Sequence, residues 1–79
     1  MEEKHVIVDH IGLRIKKIRV NRRLKQTDLA AQLQTAGLDI DGNTISKIER
    51  GVRDVTVKEL FPLAKALDVC PYWLAGFDK

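Results

Sequence analysis

Residues 26–51, QTDLAAQLQTAGLDIDGNTISKIERG, decide the fold that this chain is expected to adopt. Leu29, Ala30 and Leu33 recur at helical spacing and predict the buried side of a short helix. Gly37 follows them and suits the left-handed position just beyond a helix end. The first half of the stretch therefore predicts a short helix that stops at this glycine.

The second half of the stretch predicts another helix, with a polar face that carries no acid. Ile45, Ile48 and Val52 are spaced i, i+3 and i+7 and predict its buried side. Asp41 precedes it as the expected N-cap, a position that also suits a negative charge. Opposite the buried side lie side chains that can donate hydrogen bonds: Asn43, Thr44, Ser46, Lys47 and Arg50. Such donors suit a DNA major groove, although a solvated surface helix also has a polar face, and the pattern alone fits both interpretations.

The segment before this pair predicts a long first helix with a basic surface. The helix is expected to begin at Asp9, its N-cap, and to run to about Leu24. Its buried stripe comprises Ile11, Ile15 and Ile18. Residues 14–25 hold seven Lys or Arg and no acid. A solvated face explains the charges within the helix, whereas the cations at its end are better placed to bind phosphates.

The segment after the pair predicts two more helices. Thr56 and Glu59 form the capping box of a fourth helix, with Thr56 as N-cap and Glu59 three residues later. Pro71 favours the first position of a short fifth helix, which Gly76 ends. Their expected inward residues are Leu60, Leu63, Ala64, Leu67, Trp73 and Leu74.

The composition predicts one soluble helical domain. The 79 residues are 44% hydrophobic and 32% charged, with a net charge of +3 that permits a polyanionic partner. A single cysteine excludes an intramolecular disulfide and a cysteine-based zinc site. No apolar run is long enough for a signal peptide or a membrane span, so we expect a cytoplasmic protein with no membrane partner.

Five pieces of the sequence, in order, resemble a known family. They are IGLRIKKIR, LKQTDLAAQL, NTISKIERG, TVKELFPLAKALDV and PYWLAG. Together they resemble the Cro/repressor-type (lambda-repressor-like) helix-turn-helix domain of phage and bacterial regulators. The resemblance implies an all-α, five-helix domain over residues 11–77, with residues 1–10 as an N-terminal extension. Helices 2 and 3 would form the helix-turn-helix.

The resemblance also implies a role for individual residues. Those on the family's base-contacting positions are Gly42, Asn43, Thr44, Ser46 and Lys47. Those expected at phosphates are Lys25, Gln26, Arg50 and Arg53. Glu49 falls beside the buried stripe of the third helix and needs a cationic partner. Arg19 and Arg22 both lie on or near the apolar side of the first helix, so either could pair with it. The resemblance favours Arg19 for a buried, structural ion pair. Expected dimer contacts in the C-terminal part are Val55, Pro71, Tyr72 and Phe77.

The chain departs from the family pattern at three places. Six residues, 34–39, stand where the family usually has one, so we expect helix 2 to run on by about a turn and Ile40 to plug the core. Lys25 replaces the usual Ser or Thr cap of helix 2, and its ammonium cannot accept a hydrogen bond from the helix amides. Gly42 removes a side chain from an early base-reading position.

The expected function is that of a homodimeric regulator, a repressor, that binds double-stranded DNA. The alternative is an antitoxin or adaptor-type helix-turn-helix protein that mainly binds a protein partner. Leu13, Val20 and the long 34–39 loop would serve it, unless the two apolar residues pack under the N-terminal HVIV segment. An enzyme is not expected, because His5 and His10 are isolated and no catalytic, metal or cofactor-binding constellation is present.

Overall fold

A computed structural model describes residues 2–76 of the chain, with side chains from residue 11 onward, and this part is entirely helical. The expected all-α fold of five helices is confirmed for the described residues. The helices are α1 (Glu2–Asn21), α2 (Gln26–Thr35), α3 (Gly42–Glu49), α4 (Val57–Leu67) and α5 (Pro71–Leu74). Phe77, one of the expected dimer contacts, lies outside the described residues.

The first helix differs from its prediction at both ends. It begins at Glu2, so the prediction of Asp9 as its N-cap is wrong, and the HVIV segment continues the same helix. That segment therefore does not fold back over Leu13 and Val20, which are exposed. The helix ends at Asn21, because Arg23 adopts a left-handed φ of 60°. Whether residues 1–10 act as an extension separate from the domain stays a prediction.

One core is built from all five helices and from the connection between α2 and α3. Its buried side chains are Ile11, Ile15, Leu29, Ala30, Leu33, Ile40, Ile45, Ile48, Leu63, Ala64, Leu67 and Leu74. Gly12 lets α1 approach α3 closely, because a Cβ at this position would clash with the Ile48 carbonyl oxygen. The sequence pattern had not indicated this contact.

The long connection between α2 and α3 is ordered by its own hydrogen bonds. Gly37 has a φ of 95° and its amide donates to the Gln34 carbonyl at 3.0 Å, as in the helix-ending motif expected there. The Gln34 side chain then donates to the Ile40 carbonyl oxygen at 2.8 Å. Ile40 is only 1% exposed. The predictions that helix 2 runs on and that Ile40 plugs the core are both confirmed.

The third helix is shorter than its apolar pattern suggested. Asp41 caps its start as predicted, accepting from the Thr44 amide at 2.8 Å. The helix ends at Glu49, and Gly51 follows with a φ of 77°. Val52 consequently leaves the helical path and is 66% exposed, so its predicted place on the buried side is wrong.

The last two helices close the core from the other side. Glu59 accepts from the Thr56 amide at 3.0 Å, which confirms the carboxylate half of the predicted capping box. Pro71 begins α5 and Leu74 is fully buried. The Arg14 guanidinium lies 4.7 Å from the centroid of the Trp73 ring, so this cation fastens α5 to α1 and is not part of a purely solvated face.

Candidate nucleic-acid interface

Helix α3 presents two polar side chains that are not engaged in a hydrogen bond with the described residues. Asn43 and Lys47 are exposed, and neither side chain makes a hydrogen bond within the part of the chain whose side chains are described. They lie one helical turn apart, so they share one side of the helix. An amide followed by an ammonium at this spacing can donate to two neighbouring base edges.

The two hydroxyl residues among the predicted base readers are already engaged. The Thr44 hydroxyl donates to Asp41 Oδ1 at 2.9 Å, which turns it back toward the start of its own helix. The Ser46 hydroxyl oxygen accepts from Arg50 Nε at 3.3 Å. Ser46 keeps its own proton for donation, whereas Thr44 would have to release Asp41 to donate to a base.

Gly42 faces the neighbouring helix of the motif. A Cβ at Gly42 would lie 3.1 Å from Thr27 Cγ2, in the first turn of α2. The absence of a side chain therefore relieves crowding between α2 and α3. Any contact of Gly42 with DNA would have to be made by its backbone.

The carboxylate of Asp41 is directed into its own helix. The hydrogen bond from the Thr44 amide, followed by that from the Thr44 hydroxyl, lowers the pKa of Asp41 below its ordinary value. The nearby charge of Lys47 lowers this pKa further. Asp41 thus stays ionised and stabilises the positive helix end from which the polar face of α3 begins.

A buried network fixes the orientation of α3 against α1 and α2. Arg19 Nε donates to Glu49 Oε2 at 2.6 Å and Arg19 Nη2 donates to Glu49 Oε1 at 3.1 Å. Gln26 Nε2 also donates to Glu49 Oε1, at 3.1 Å. Arg22, the other candidate partner of Glu49, instead reaches the Asp68 carbonyl oxygen at 3.4 Å. The structure thus brings together the ion pair and the glutamine that the resemblance implied.

The start of α2 carries two groups suited to phosphate binding. Gln26 uses one amide proton for Glu49, which leaves its other proton and its carbonyl oxygen available. Lys25 is exposed. Asp28 accepts from the Lys25 backbone amide at 2.8 Å, which fixes the start of α2 but does not bind the helix amide that a Ser or Thr cap would bind. Sequence reasoning overlooked Asp28, although an acid in the first turn of a helix is a known stabilising signal.

Arg53 is the predicted phosphate residue with the most intramolecular contacts. Its Nη1 and Nη2 atoms donate to Glu59 Oε1 and Oε2 at 3.0 and 2.8 Å. Its Nη1 also donates to the Asp54 carbonyl oxygen at 3.0 Å. The hydrogen bonds from Arg53, and then that from the Thr56 amide, lower the pKa of Glu59 against the effect of burial. Arg50, by contrast, is exposed at the end of α3.

The predicted dimer residues lie in different surroundings. Tyr72 is 67% exposed, whereas Val55 is half-buried against the core and Pro71 is half-buried at the start of α5. Val57 and Phe61 on α4 are also large, apolar and exposed, and the sequence pattern had not singled them out. The described surface therefore offers more apolar contact area than the predicted dimer residues alone.

Two further features of residues 2–76 complete the description of the surface. In the described part of the chain, no three His, Cys, Asp or Glu residues lie together in a way that could hold a metal ion. None of the helices described there is long and apolar enough to cross a membrane.

Two short helices, α2 and α3, pack against each other, and the polar side of α3 faces away from the core. This arrangement defines a helix-turn-helix. A family model described as "Helix-turn-helix" matches residues 15–74, which is most of the chain. The chain belongs to this family of Cro/repressor-type helix-turn-helix proteins, which are DNA-binding regulators and generally not enzymes. A search of curated proteins found no match, and a search of solved structures found none either.

Proposed function

We propose that the protein is a sequence-specific transcriptional repressor that reads the major groove of double-stranded DNA with residues 42–50. One observation carries the proposal. The outward side of α3 has no acid and presents Asn43 and Lys47, whose side chains make no hydrogen bond with the described residues, while the same helix is fixed from behind through Glu49. A rigid helix with unengaged donors suits base recognition, because little freedom is lost on binding.

The roles within α3 follow from the chemistry of each side chain. Asn43 suits an adenine edge and Lys47 a guanine edge. Ser46 supplies a weaker donor to either base, and Thr44 can donate to a base only if it leaves Asp41. Gly42 contributes its backbone, so most of the base discrimination falls on two side chains.

Affinity would come largely from phosphates. Gln26 and Lys25 at the start of α2, and Arg50 at the end of α3, would bind the DNA backbone on either side of the groove. Arg53 would add a fourth contact with the donors that Glu59 and Asp54 leave unused. Such contacts release counterions, so binding should weaken steeply as salt rises.

The protein would act as a homodimer, because one short helix reads only a few base pairs. Two-fold pairing would place two copies of α3 in successive major grooves about 34 Å apart. Tyr72, Pro71 and Val55, together with Phe77, are the proposed contact residues. We place this activity in the cytoplasm of a prokaryotic or phage-infected cell.

A second function, that of an antitoxin or adaptor which mainly holds a protein partner, is favoured by one observation. Leu13 and Val20 are 62% and 56% exposed, and they lie two helical turns apart on α1. Lys16 and Lys17 lie between them on the same side of α1, so this surface combines two exposed apolar side chains with two cations, and it lies on a helix other than α2 and α3. Stoichiometric co-purification of a protein partner that is lost on Leu13→Ser would support this function.

Selection of bound sequences from random DNA tests the first proposal. We expect enrichment of a palindrome whose half-sites are about one helical turn apart. A lack of enrichment at low salt would refute sequence-specific regulation. A single enriched half-site would instead refute the homodimer.

A further inference from the structure

We infer that Glu59 is a positioning residue for DNA binding, which holds Arg53 beside α3 in the orientation that contacts a phosphate. The inference rests on the proposed function, in which Arg53 is a phosphate contact. It assigns a favourable role in binding a polyanion to an acidic residue on α4, away from the reading helix. Charge alone predicts the opposite, because a carboxylate repels phosphate.

The backbone of Arg53 is tied to the end of the reading helix. Its amide donates to the Lys47 carbonyl oxygen at 3.2 Å, and the neighbouring Val52 amide donates to the same oxygen at 2.9 Å. Lys47 is one of the two proposed base readers. Arg53 is therefore anchored next to the part of α3 that would enter the groove.

The side chain of Arg53 is held by hydrogen bonds of its own. Glu59 binds it through two parallel hydrogen bonds, and the Asp54 carbonyl oxygen adds a third. The Glu59 side chain is 10% exposed and is itself held by the Thr56 amide, whereas that of Arg53 is 35% exposed. The inner partner is thus the fixed one, and the guanidinium is held at the surface.

The guanidinium keeps donors for a phosphate in this arrangement. An arginine has five N–H donors in a planar fork, and the three hydrogen bonds use three of them. A planar guanidinium that is already oriented loses less side-chain freedom when it binds an anion. Repulsion by the Glu59 carboxylate is screened by salt over about 8 Å at physiological ionic strength, whereas the orientation of Arg53 is not.

The experiment measures the affinity of the full chain for a short DNA duplex of mixed sequence, at low and at physiological salt. Glu59→Gln removes one negative charge, which raises the formal net charge from +3 by one unit to +4. We expect it nevertheless to weaken binding about threefold to tenfold, through loss of an oriented charge-assisted contact. The deficit should be larger at physiological salt. A tighter or unchanged complex would overturn the inference.

Asp54→Asn is the matched control, because it removes an equal charge next to Arg53. The Asp54 side chain makes no hydrogen bond in the described residues, so Arg53 keeps its three contacts. We expect about twofold tighter binding from reduced repulsion alone. The two amide substitutions should therefore shift affinity in opposite directions.

A double-mutant cycle shows whether Glu59 acts through Arg53. In an Arg53→Gln background, Glu59→Gln should no longer weaken binding. An equal loss in both backgrounds would mean that Glu59 matters only for the stability of α4, and would overturn the inference.

Where Glu59→Gln does not fold, Glu59→Asp replaces it, since it keeps the charge but is too short to hold Arg53 in the same place. If the wild-type protein binds no duplex at low salt, the proposed function fails as well. Binding by the wild type with no loss in the Glu59 variants refutes the positioning role alone.

Discussion

Replacing Glu49 by alanine should destabilise the whole domain. Glu49 accepts three hydrogen bonds, two from Arg19 and one from Gln26, and its side chain is only 3% exposed. The substitution leaves the Arg19 guanidinium, 11% exposed, with no compensating charge. Breaking one partner of a buried ion pair costs about 3–5 kcal/mol. A domain of this size has a total stability of roughly 4–12 kcal/mol, so a quarter or more of it would be lost.

The expected loss is large enough to measure in two independent ways. For a domain of this size the melting temperature, followed by circular dichroism, should fall by about 12–40 °C. The urea midpoint should fall in parallel, with an unchanged slope. Asp39→Ala is the control, because Asp39 is an exposed carboxylate without a hydrogen bond in the described residues and should change stability by less than about 0.5 kcal/mol. Replacing Arg19 by Met and Glu49 by Leu together should recover much of the loss. If Glu49→Ala and Asp39→Ala melt at the same temperature, the buried network does not stabilise the domain.

Three further outcomes can be checked separately. Lys47→Ala should weaken binding to a selected site by about 1–3 kcal/mol and relax the preference at one base pair, measured on sites changed at single positions; equal losses on all sequences would reduce Lys47 to a phosphate contact. Gly12→Ala should lower the free energy of unfolding measured in urea, because strain of about 1–3 kcal/mol at the Ile48 carbonyl exceeds a helix-propensity gain of about 0.5–1 kcal/mol. A more stable variant would contradict the close approach of α1 and α3. The lowered pKa of Glu59 implies that its contribution to stability is present above the ordinary pKa of 4.5 and is lost as the pH falls through the folded-state pKa. The stability difference between wild type and Glu59→Gln should therefore shrink in acid. A difference that does not change with pH would refute the pairing of Glu59 with Arg53.

Local patterns in the sequence were enough to predict three helix starts. Asp41, Thr56 and Pro71 each begin a helix in the structure, because capping depends on residues that are neighbours along the chain. Asp9 carried the same signal and was wrong. Residues 2–8 contain no glycine or proline to interrupt a helix, and a cap contributes too little free energy to end one by itself.

Contacts between distant elements could not be predicted in the same way. The approach of α1 to α3 at Gly12 and the stacking of Arg14 on Trp73 depend on how helices pack, which no spacing along one helix reveals. Val52 continued the apolar period of α3, but Gly51 ended the helix before it. The sequence pattern left both Arg19 and Arg22 as possible partners of Glu49, and only the family resemblance favoured Arg19.

The acids near the proposed DNA surface share a property that explains why a basic protein keeps them. Asp28, Asp41, Glu49 and Glu59 each accept a hydrogen bond from the chain: a backbone amide at Asp28, Asp41 and Glu59, and side chains at Glu49. A carboxylate used in this way orients donors, and at Glu49 and Glu59 an arginine also compensates its charge. Substituting these acids by amides would therefore increase the net charge without a matching gain in affinity for DNA. Asp54 is an exposed acid whose carboxylate makes no hydrogen bond in the described part of the chain, and its replacement by an amide should strengthen DNA binding simply by removing a negative charge. The sign of the change in affinity therefore separates the acids that organise this surface from those that merely lie near it.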